Sequence, residues 1–336
     1  ALLKAFSESP GSSPAAFAAE LQRSFGLPGG PPTDAHGTID TRVTVLILPA
    51  ADVQKLLPTG LGLAPQPVVP SGYHPVYILS SHDTFQAWFG DMDYQEMMLA
   101  VPYVQIDEPR GRYPGPYIYM PRLYLNDPVP CFLGVHLYGW EKQAATITNV
   151  TTPATGPTTT IAAAPTLTHA TTTPRPAPAA PTAAPATTVY TVTNKPGAPP
   201  ALIGTFRELP GQPAQPPAAF ANFTIVRQLF EQPTISQAAH ILFPDAFTTF
   251  KPGWLLSANV LYQVDQPGTT VQPIEAELVI SDSLTPAGIP PGTYRTPSIL
   301  TSPTGSFRLQ CKQSVTLPGT CYGVSFPRPP ALRKLK

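Results

Sequence analysis

The most informative segment of the sequence is Leu123-Tyr-Leu-Asn-Asp-Pro-Val-Pro-Cys-Phe-Leu-Gly-Val-His-Leu-Tyr-Gly-Trp-Glu-Lys-Gln-Ala-Ala145. Asp127 followed by Pro128 is typical of a helix start, and Gly139 is typical of a helix end. Lys142 then follows among bulky apolar residues. Apolar surroundings disfavour a charged ammonium group, and a neutral amine is a nucleophile. The stretch therefore predicts a strand, a capped helix and a candidate reactive lysine.

The composition excludes two classes of protein. The chain has 336 residues, of which 42% are apolar and 12% are charged. Lysine plus arginine equals aspartate plus glutamate at 20 each, so there is no basic field to hold nucleic acid. The sequence contains no apolar run of about 18 residues, so no helical membrane span is predicted. The length suits one large domain or two small ones.

The pattern along the chain predicts an α+β fold that is mostly antiparallel β. Short runs rich in β-branched and aromatic residues alternate with glycine and proline, and helical periodicity is scarce. One further helix is predicted over 51–57. The predicted strands are 42–48, 75–80, 96–107, 116–126, 223–229, 254–264, 274–280, 306–315 and 322–326.

Residues 151–200 differ sharply in composition from the rest. Thr, Pro and Ala make up 39 of these 50 residues, which leaves too little apolar surface to form a core. The tract is therefore interpreted as an extended insertion. The predicted organisation is an amphipathic N-terminal arm and linker (1–38), a first half-domain (39–150), the insertion (151–200), and a second half-domain with a C-terminal tail (201–336).

The segment 123–145 resembles the signature of the acetoacetate decarboxylase family. The family pattern is Tyr-Leu-Asp-Asp/Asn, a helix, Gly-Arg-Glu, an apolar pair, and then Gly, an aromatic residue, Pro, Lys and Lys. Here it reads as 124–127, 134–136, 137–138 and 139–143, and Lys142 matches the Schiff-base position. The segment 94–102 resembles the family strand that carries an active-site glutamate, which would be Glu96. The resemblance covers most of 40–148 and, more loosely, 200–300, and it implies a β-barrel or cone with few helices.

If the family chemistry is kept, the resemblance implies a lysine Schiff-base carboxy-lyase without a cofactor. The unprotonated lysine of the family attacks a keto acid, and the iminium that forms accepts the electrons of the departing carboxylate. The catalytic residues would be Lys142 and Glu96. No metal site is expected, because the histidines are scattered, and His82-Asp83 is interpreted as a structural pair. The pocket lining would be Trp140, Tyr138, Phe132, Glu141 and Gln143.

Several differences from the pattern favour lost or redirected chemistry. Gln143 replaces the second lysine, whose charge helps to keep the first one neutral. Glu141 replaces the proline, and a nearby carboxylate favours the ammonium form unless it points away. Val135-His136 replaces the Arg-Glu pair, and no arginine occurs in 33–39.

Three functions follow as alternatives. The first is a non-catalytic accessory subunit of a larger assembly, in which the arm (1–26) and the tract (151–200) contact other protein subunits. The second is a Schiff-base decarboxylase or aldolase-type lyase that acts on a small keto acid through Lys142. The third is a secreted glycoprotein with a mucin-like tract, which an oxidised Cys311–Cys321 pair would favour. A chain that starts at Ala1 is compatible with a removed targeting segment, so a mitochondrial location is predicted, with secretion as the alternative.

Overall fold

The computed structural model describes residues 34–87, 90–106, 115–152, 185–237, 255–258, 260–284, 289–316 and 319–320. The N-terminal arm, most of the Pro/Thr/Ala tract, the predicted strand 322–326 and Cys321 lie outside these residues. No helix in the described ranges is both long enough and apolar enough to cross a membrane.

Strands dominate the described residues. The helices are α1 (Ala50–Gln54), α2 (Pro128–Tyr138) and α3 (Phe223–Arg227), with 3₁₀ turns at Pro217–Ala219 and Gln228–Glu231. The strands are β1 (Asp34–Pro49), β2 (Leu61–Leu63), β3 (Tyr73–Ala87), β4 (Gly90–Ile106), β5 (Tyr117–Leu125), β6 (Lys142–Ala144), β7 (Thr146–Thr152), β8 (Thr187–Thr193), β9 (Leu202–Glu208), β10 (Thr234–Gln237), β11 (Leu255–Ala258), β12 (Val260–Tyr262), β13 (Thr270–Ile280), β14 (Gly292–Thr296), β15 (Phe307–Thr316) and β16 (Gly319–Thr320).

The strands form one sheet in the order β16-β11-β10-β5-β4-β3-β1-β15-β13-β9-β8-β7. Four strands lie off this path: β2 pairs with β4, β6 with β5, β12 with β15 and β14 with β13. All pairs are antiparallel except β5 with β6 and β5 with β10. The mostly antiparallel fold is therefore confirmed. The expected barrel closure is wrong for the described strands, because β16 and β7 end an open path.

The central strands of the sheet are buried on both faces. Along β4, Met97 and Leu99 belong to one apolar cluster, while Tyr94 and Ala100 belong to the other. Successive side chains of a strand point to opposite faces, so one long strand contributes to two cores. The second cluster is the one that surrounds the candidate site.

One predicted strand is a helix. Residues 223–227 form α3, in which Phe223 and Val226 are buried while Thr224 is exposed. A strand would bury alternate residues, whereas the core here takes two side chains three residues apart. The Asn222 side-chain amide donates to the Ile299 carbonyl at 2.7 Å and anchors the segment. Tertiary packing thus overrides the β propensity of Phe-Thr-Ile-Val.

Candidate active site

The end of α2 places Lys142. Asp127 accepts a hydrogen bond from the Val129 amide at 2.7 Å, and Gly139 closes the helix in the left-handed region at φ 67°. The chain then reverses, and β6 pairs in parallel with β5 so that Lys142 lies beside Leu123. The sequence predicts both caps, and the structure confirms them.

Strand alternation separates Lys142 from its neighbours in sequence. Lys142 is buried, with only 4% of its side chain accessible, whereas Glu141 and Gln143 are exposed. Successive residues in an extended segment face opposite ways. Glu141 therefore points away from the cavity that holds the lysine. Glu141 is therefore not the carboxylate that faces the Lys142 ammonium group; that position belongs to Glu96.

Gly134 on α2 provides the space that the lysine side chain occupies. A Cβ atom at this position would lie 2.2 Å from Cδ and 2.5 Å from Cε of Lys142. Two non-bonded carbon atoms cannot lie so close together, so the lysine side chain or the helix would have to move. The glycine is thus a steric requirement of the buried lysine, in addition to its place in the sequence motif.

Two acidic side chains accompany Lys142. Its Nζ lies 3.2 Å from Oε1 of Glu96, and both side chains are almost fully buried. Asp83 on β3 faces the same cavity and accepts a hydrogen bond from the Gln313 side-chain amide at 2.7 Å. The rings of Tyr94 and Trp140 lie over Nζ, with centroid distances of 5.9 and 5.2 Å.

The cavity is small and mainly apolar. Its volume is about 80 Å³, which is enough for several water molecules at roughly 10–15 Å³ each. Lys142 supplies the single positive charge among the described lining residues. The side chains that line the cavity include Phe85, Met92, Met98, Met120, Leu123, Leu133, Tyr138, Val260 and Tyr262.

The cavity also contains polar atoms without partners. Oδ2 of Asp83 and Nε1 of Trp140 are buried and have no hydrogen-bond partner among the described residues. A buried polar atom that lacks a partner is costly. Both atoms are therefore placed to bind a ligand that offers a donor to Asp83 and an acceptor to Trp140.

Burial and the nearby Glu96 carboxylate raise the pKa of Asp83 to about 7. Removal from water disfavours the charged form of an acid, and a second negative charge adds to this effect. Hydrogen bonds from Gln313 and Ser81, and the charge of Lys142, act in the opposite direction. Asp83 is therefore partly protonated near neutral pH, which suits a group that both donates and accepts protons.

The structure brings together some of the residues that the sequence singled out. Lys142, Glu96, Trp140 and Tyr138 line one cavity, and the Tyr138 and Trp140 rings stack with centroids 4.4 Å apart. The lining includes none of the other three predicted residues. Phe132 is half-buried elsewhere, and Glu141 and Gln143 face outward.

Sequence reasoning missed Asp83 and Gln313. Asp83 was interpreted as the structural partner of His82, but His82 contacts Asp93 at the surface, with 2.5 Å between Nε2 and Oδ1. Alternation along β3 sends the neighbouring Asp83 inward. A single acidic residue on a largely apolar strand face, next to Ser81, was the available signal. Gln313 gave no such signal, because it comes from β15, 230 residues away in sequence.

The thiols do not take part in a bridge among the described residues. Cys131 on α2 and Cys311 on β15 are free, and Cys311 is buried. The predicted Cys311–Cys321 pair involves a residue outside the described ranges. No cluster of histidine, cysteine or acidic side chains in the described part of the chain has the geometry of a metal site.

Comparisons with known proteins support the fold. No protein-family model and no curated protein sequence matches the chain. Among solved structures, the enduracididine biosynthesis enzyme MppR complexed with pyruvate aligns with a TM-score of 0.51 at 13% identity, over 89% of this chain and 94% of that one. The same enzyme with the condensation product of pyruvate and imidazole 4-carboxaldehyde gives 0.50 at 14% identity, over 88% and 91%. An acetoacetate decarboxylase-like enzyme from Sphingomonas wittichii RW1 gives 0.48 at 11%, over 86% and 92%.

At these identities the likeness concerns the fold and not the activity. The alignments with the MppR structures extend over almost the whole of both chains, and the observed architecture is the mostly antiparallel one that the pattern along the chain predicts. The chain therefore has a mostly antiparallel fold similar to that of the MppR structures.

Proposed function

We propose that the protein is a lysine-dependent carboxy-lyase that forms a Schiff base between Lys142 and a small keto acid. The observation that carries this proposal is the burial of Lys142 Nζ, 3.2 Å from Glu96, in a cavity that also holds Asp83. Lysine is almost never fully buried unless it is paired, and the partner of Lys142 is a carboxylate that can accept its proton. A desolvated site is one of the ways in which a lysine becomes nucleophilic.

The geometry assigns a role to each group in the first step. Glu96 accepts a proton from Nζ, and the neutral amine attacks the ketone carbon so that a C–N bond forms. Asp83, in its protonated form, donates to the oxygen that leaves as water. The balance is an ammonium ion plus a ketone giving an iminium ion plus water, with the total charge unchanged. The carboxylates then exchange protons with each other and with water.

The charge of the cavity favours decarboxylation as the second step. A bound keto acid places its carboxylate near Glu96 and Asp83, among apolar walls and without a second cation in the described lining. Loss of carbon dioxide removes this unfavourable charge, and the bonding electrons pass into the iminium to give an enamine. Protonation of the enamine carbon and hydrolysis then release the ketone and free Lys142.

Borohydride trapping tests the proposal. The full chain is incubated with acetoacetate, reduced and analysed by peptide mass spectrometry. A carboxy-lyase leaves an isopropyl group on Lys142, which is the adduct of acetone after loss of carbon dioxide. Lys142→Ala must abolish the adduct, while Lys55→Ala, which removes an exposed lysine, must retain it. An adduct that still carries the carboxyl group would show Schiff-base formation without decarboxylation.

The competing hypothesis is a non-catalytic accessory subunit. Its arguments were the changed motif, the arm (1–26) and the tract (151–200). The arm and most of the tract lie outside the described residues, and Glu141 and Gln143 face away from the cavity. Failure of every keto acid to modify a correctly folded protein would favour this hypothesis. The mitochondrial location and the secreted alternative remain predictions from the sequence.

A further inference from the structure

A second cavity adjoins the one that holds Lys142. It measures about 30 Å³ and shares four lining side chains with the first cavity, namely Met98, Met120, Val260 and Tyr262. Two of these four are methionines, whose flexible side chains move at low cost. The two cavities are therefore separated by a partition that a ligand could displace.

Strand alternation explains why the two cavities are neighbours. Along β4, Tyr94, Glu96 and Met98 line the first cavity, and Met98, Ala100 and Pro102 line the second. These residues lie two apart, so they share one face of the sheet. Residues Leu79 and Tyr77 on β3 continue the same face. The second cavity is thus an extension of the first, directed along the strands and away from Asp83.

The far wall of the second cavity carries an unused hydrogen-bond donor. Tyr77 is 3% exposed, and its hydroxyl group has no hydrogen-bond partner among the described residues. The remaining walls are mostly apolar and include Leu229, Phe230 and Ile118. A buried hydroxyl group without a hydrogen-bond partner is unfavourable, and a ligand oxygen beside it would supply the missing acceptor.

We propose that the second cavity binds the side chain of the substrate, and that the substrate is a 3-oxo acid whose apolar chain carries an oxygen atom near its end. The inference rests on the proposed function, because the ketone must react at Lys142. The chain would pass between Met98 and Met120, and the Tyr77 hydroxyl group would donate to its terminal oxygen. The cavity adds room for two or three non-hydrogen atoms, at roughly 10–15 Å³ each.

Three ketones, which are the products expected from such acids, test the proposal. Acetone, 2-heptanone and 5-methoxy-2-pentanone are trapped on Lys142 with borohydride, and the concentration that gives half-maximal modification is measured. The last two have equal numbers of non-hydrogen atoms and differ by an ether oxygen. We expect 2-heptanone to be trapped at about tenfold lower concentration than acetone, and the ether at about fivefold lower concentration again.

Three variants test separately the binding of the apolar substrate chain and the binding of its terminal oxygen. Ala100 lies directly opposite Tyr77 in the β3–β4 pair. It lines the second cavity and not the first, so Ala100→Leu should fill the second cavity. This variant should abolish the preference for both long ketones and leave acetone trapping unchanged. Ala100→Val, a smaller change, should reduce the preference partly. Tyr77→Phe should remove the preference for the ether over 2-heptanone and retain the preference for 2-heptanone over acetone.

The outcomes distinguish this inference from the proposed function. If no ketone and no acetoacetate modifies Lys142, the proposed function fails and the inference fails with it. If acetone is trapped and 2-heptanone is trapped no better, the proposed function stands and the subsite is contradicted. Equal trapping of the ether and 2-heptanone by the parent protein would overturn the role of Tyr77.

Discussion

At the scale of the residue, the site depends on Asp83, a carboxyl group that the sequence alone did not mark. It lies in a buried cluster with Glu96 and Lys142, and burial together with the Glu96 charge raises its pKa to about 7. Its ordinary value is 3.8. The folded protein therefore holds this proton more tightly than the unfolded chain does.

Asp83→Asn should stabilise the protein at alkaline pH. A raised pKa contributes stability that is fully present below about pH 3.8 and is lost as the pH rises through about 7. Asparagine does not ionise, so the variant should exceed the parent in free energy of unfolding by a few kcal/mol at pH 8, and the advantage should shrink towards pH 5. Urea unfolding at several pH values measures this.

Asp91→Asn is the matched control, because Asp91 is exposed on the neighbouring strand β4. It removes one exposed carboxylate from the same sheet and so controls for the loss of a negative charge. An Asp83→Asn variant that loses stability equally at pH 5 and pH 8 would show that Asp83 is ionised in the native protein at both, and the proton-donor role would be lost.

Among the secondary-structure elements, α2 has two roles. It directs the chain into β6, and its Gly134 leaves the space that the Lys142 side chain occupies. The helix could be predicted from Asp127, Pro128 and Gly139, whose capping roles are local. The need for a glycine at position 134, on the cavity side of the helix, could not be predicted in this way. It arises from the Lys142 side chain that packs against the helix.

Gly134→Ala should displace Lys142 while it preserves the helix. The added Cβ atom would overlap Cδ and Cε of the lysine, so we expect at least a tenfold loss of borohydride trapping. Alanine favours a helix over glycine by about 1 kcal/mol, so the free energy of unfolding should change little. Val135→Ala, at the next position, is the control and should trap normally. Full trapping by Gly134→Ala would contradict the assigned role of this glycine.

The limits of sequence reasoning follow the same division between local and distant contacts. Helix caps, most strands and the match of Lys142 and Glu96 to a family motif depend on nearby residues, and the sequence sufficed for them. The outward direction of Glu141 depends on the pairing of β6 with β5. The approach of Asp83 and Gln313 depends on the register of β3, β1 and β15. Such long-range pairings are set by the whole sheet, and no local pattern encodes them.

At the scale of the whole molecule, both sides of the Pro/Thr/Ala tract contribute to one sheet. Strand β1 pairs with β15, and β5 pairs with β10. Strands β7 and β8, on either side of residues 153–186, pair from Thr146 with Thr193 to Thr152 with Thr187. Thr152 and Thr187 are thus adjacent, and β8 belongs to the sheet although it lies within the compositionally defined tract. We propose that 39–152 and 187–336 fold as one domain and that residues 153–186 are dispensable for the fold.

Replacement of 153–186 by Asn-Gly should leave the fold intact. Because Thr152 and Thr187 face each other, a two-residue turn can join β7 to β8 as a hairpin, and a shorter loop costs less closure entropy. We expect a melting temperature within a few degrees of the parent and unchanged trapping at Lys142. A variant that does not fold would show that the tract stabilises the sheet.

The mass of the Lys142 peptide after treatment with acetoacetate and borohydride tests the catalytic role of this lysine. The buried ion pair with Glu96 and the adjacent Asp83 predict an isopropyl group on Lys142, absent in Lys142→Ala and present in Lys55→Ala. An unmodified Lys142 in folded protein, across the range of keto acids and ketones tried, would contradict a catalytic site.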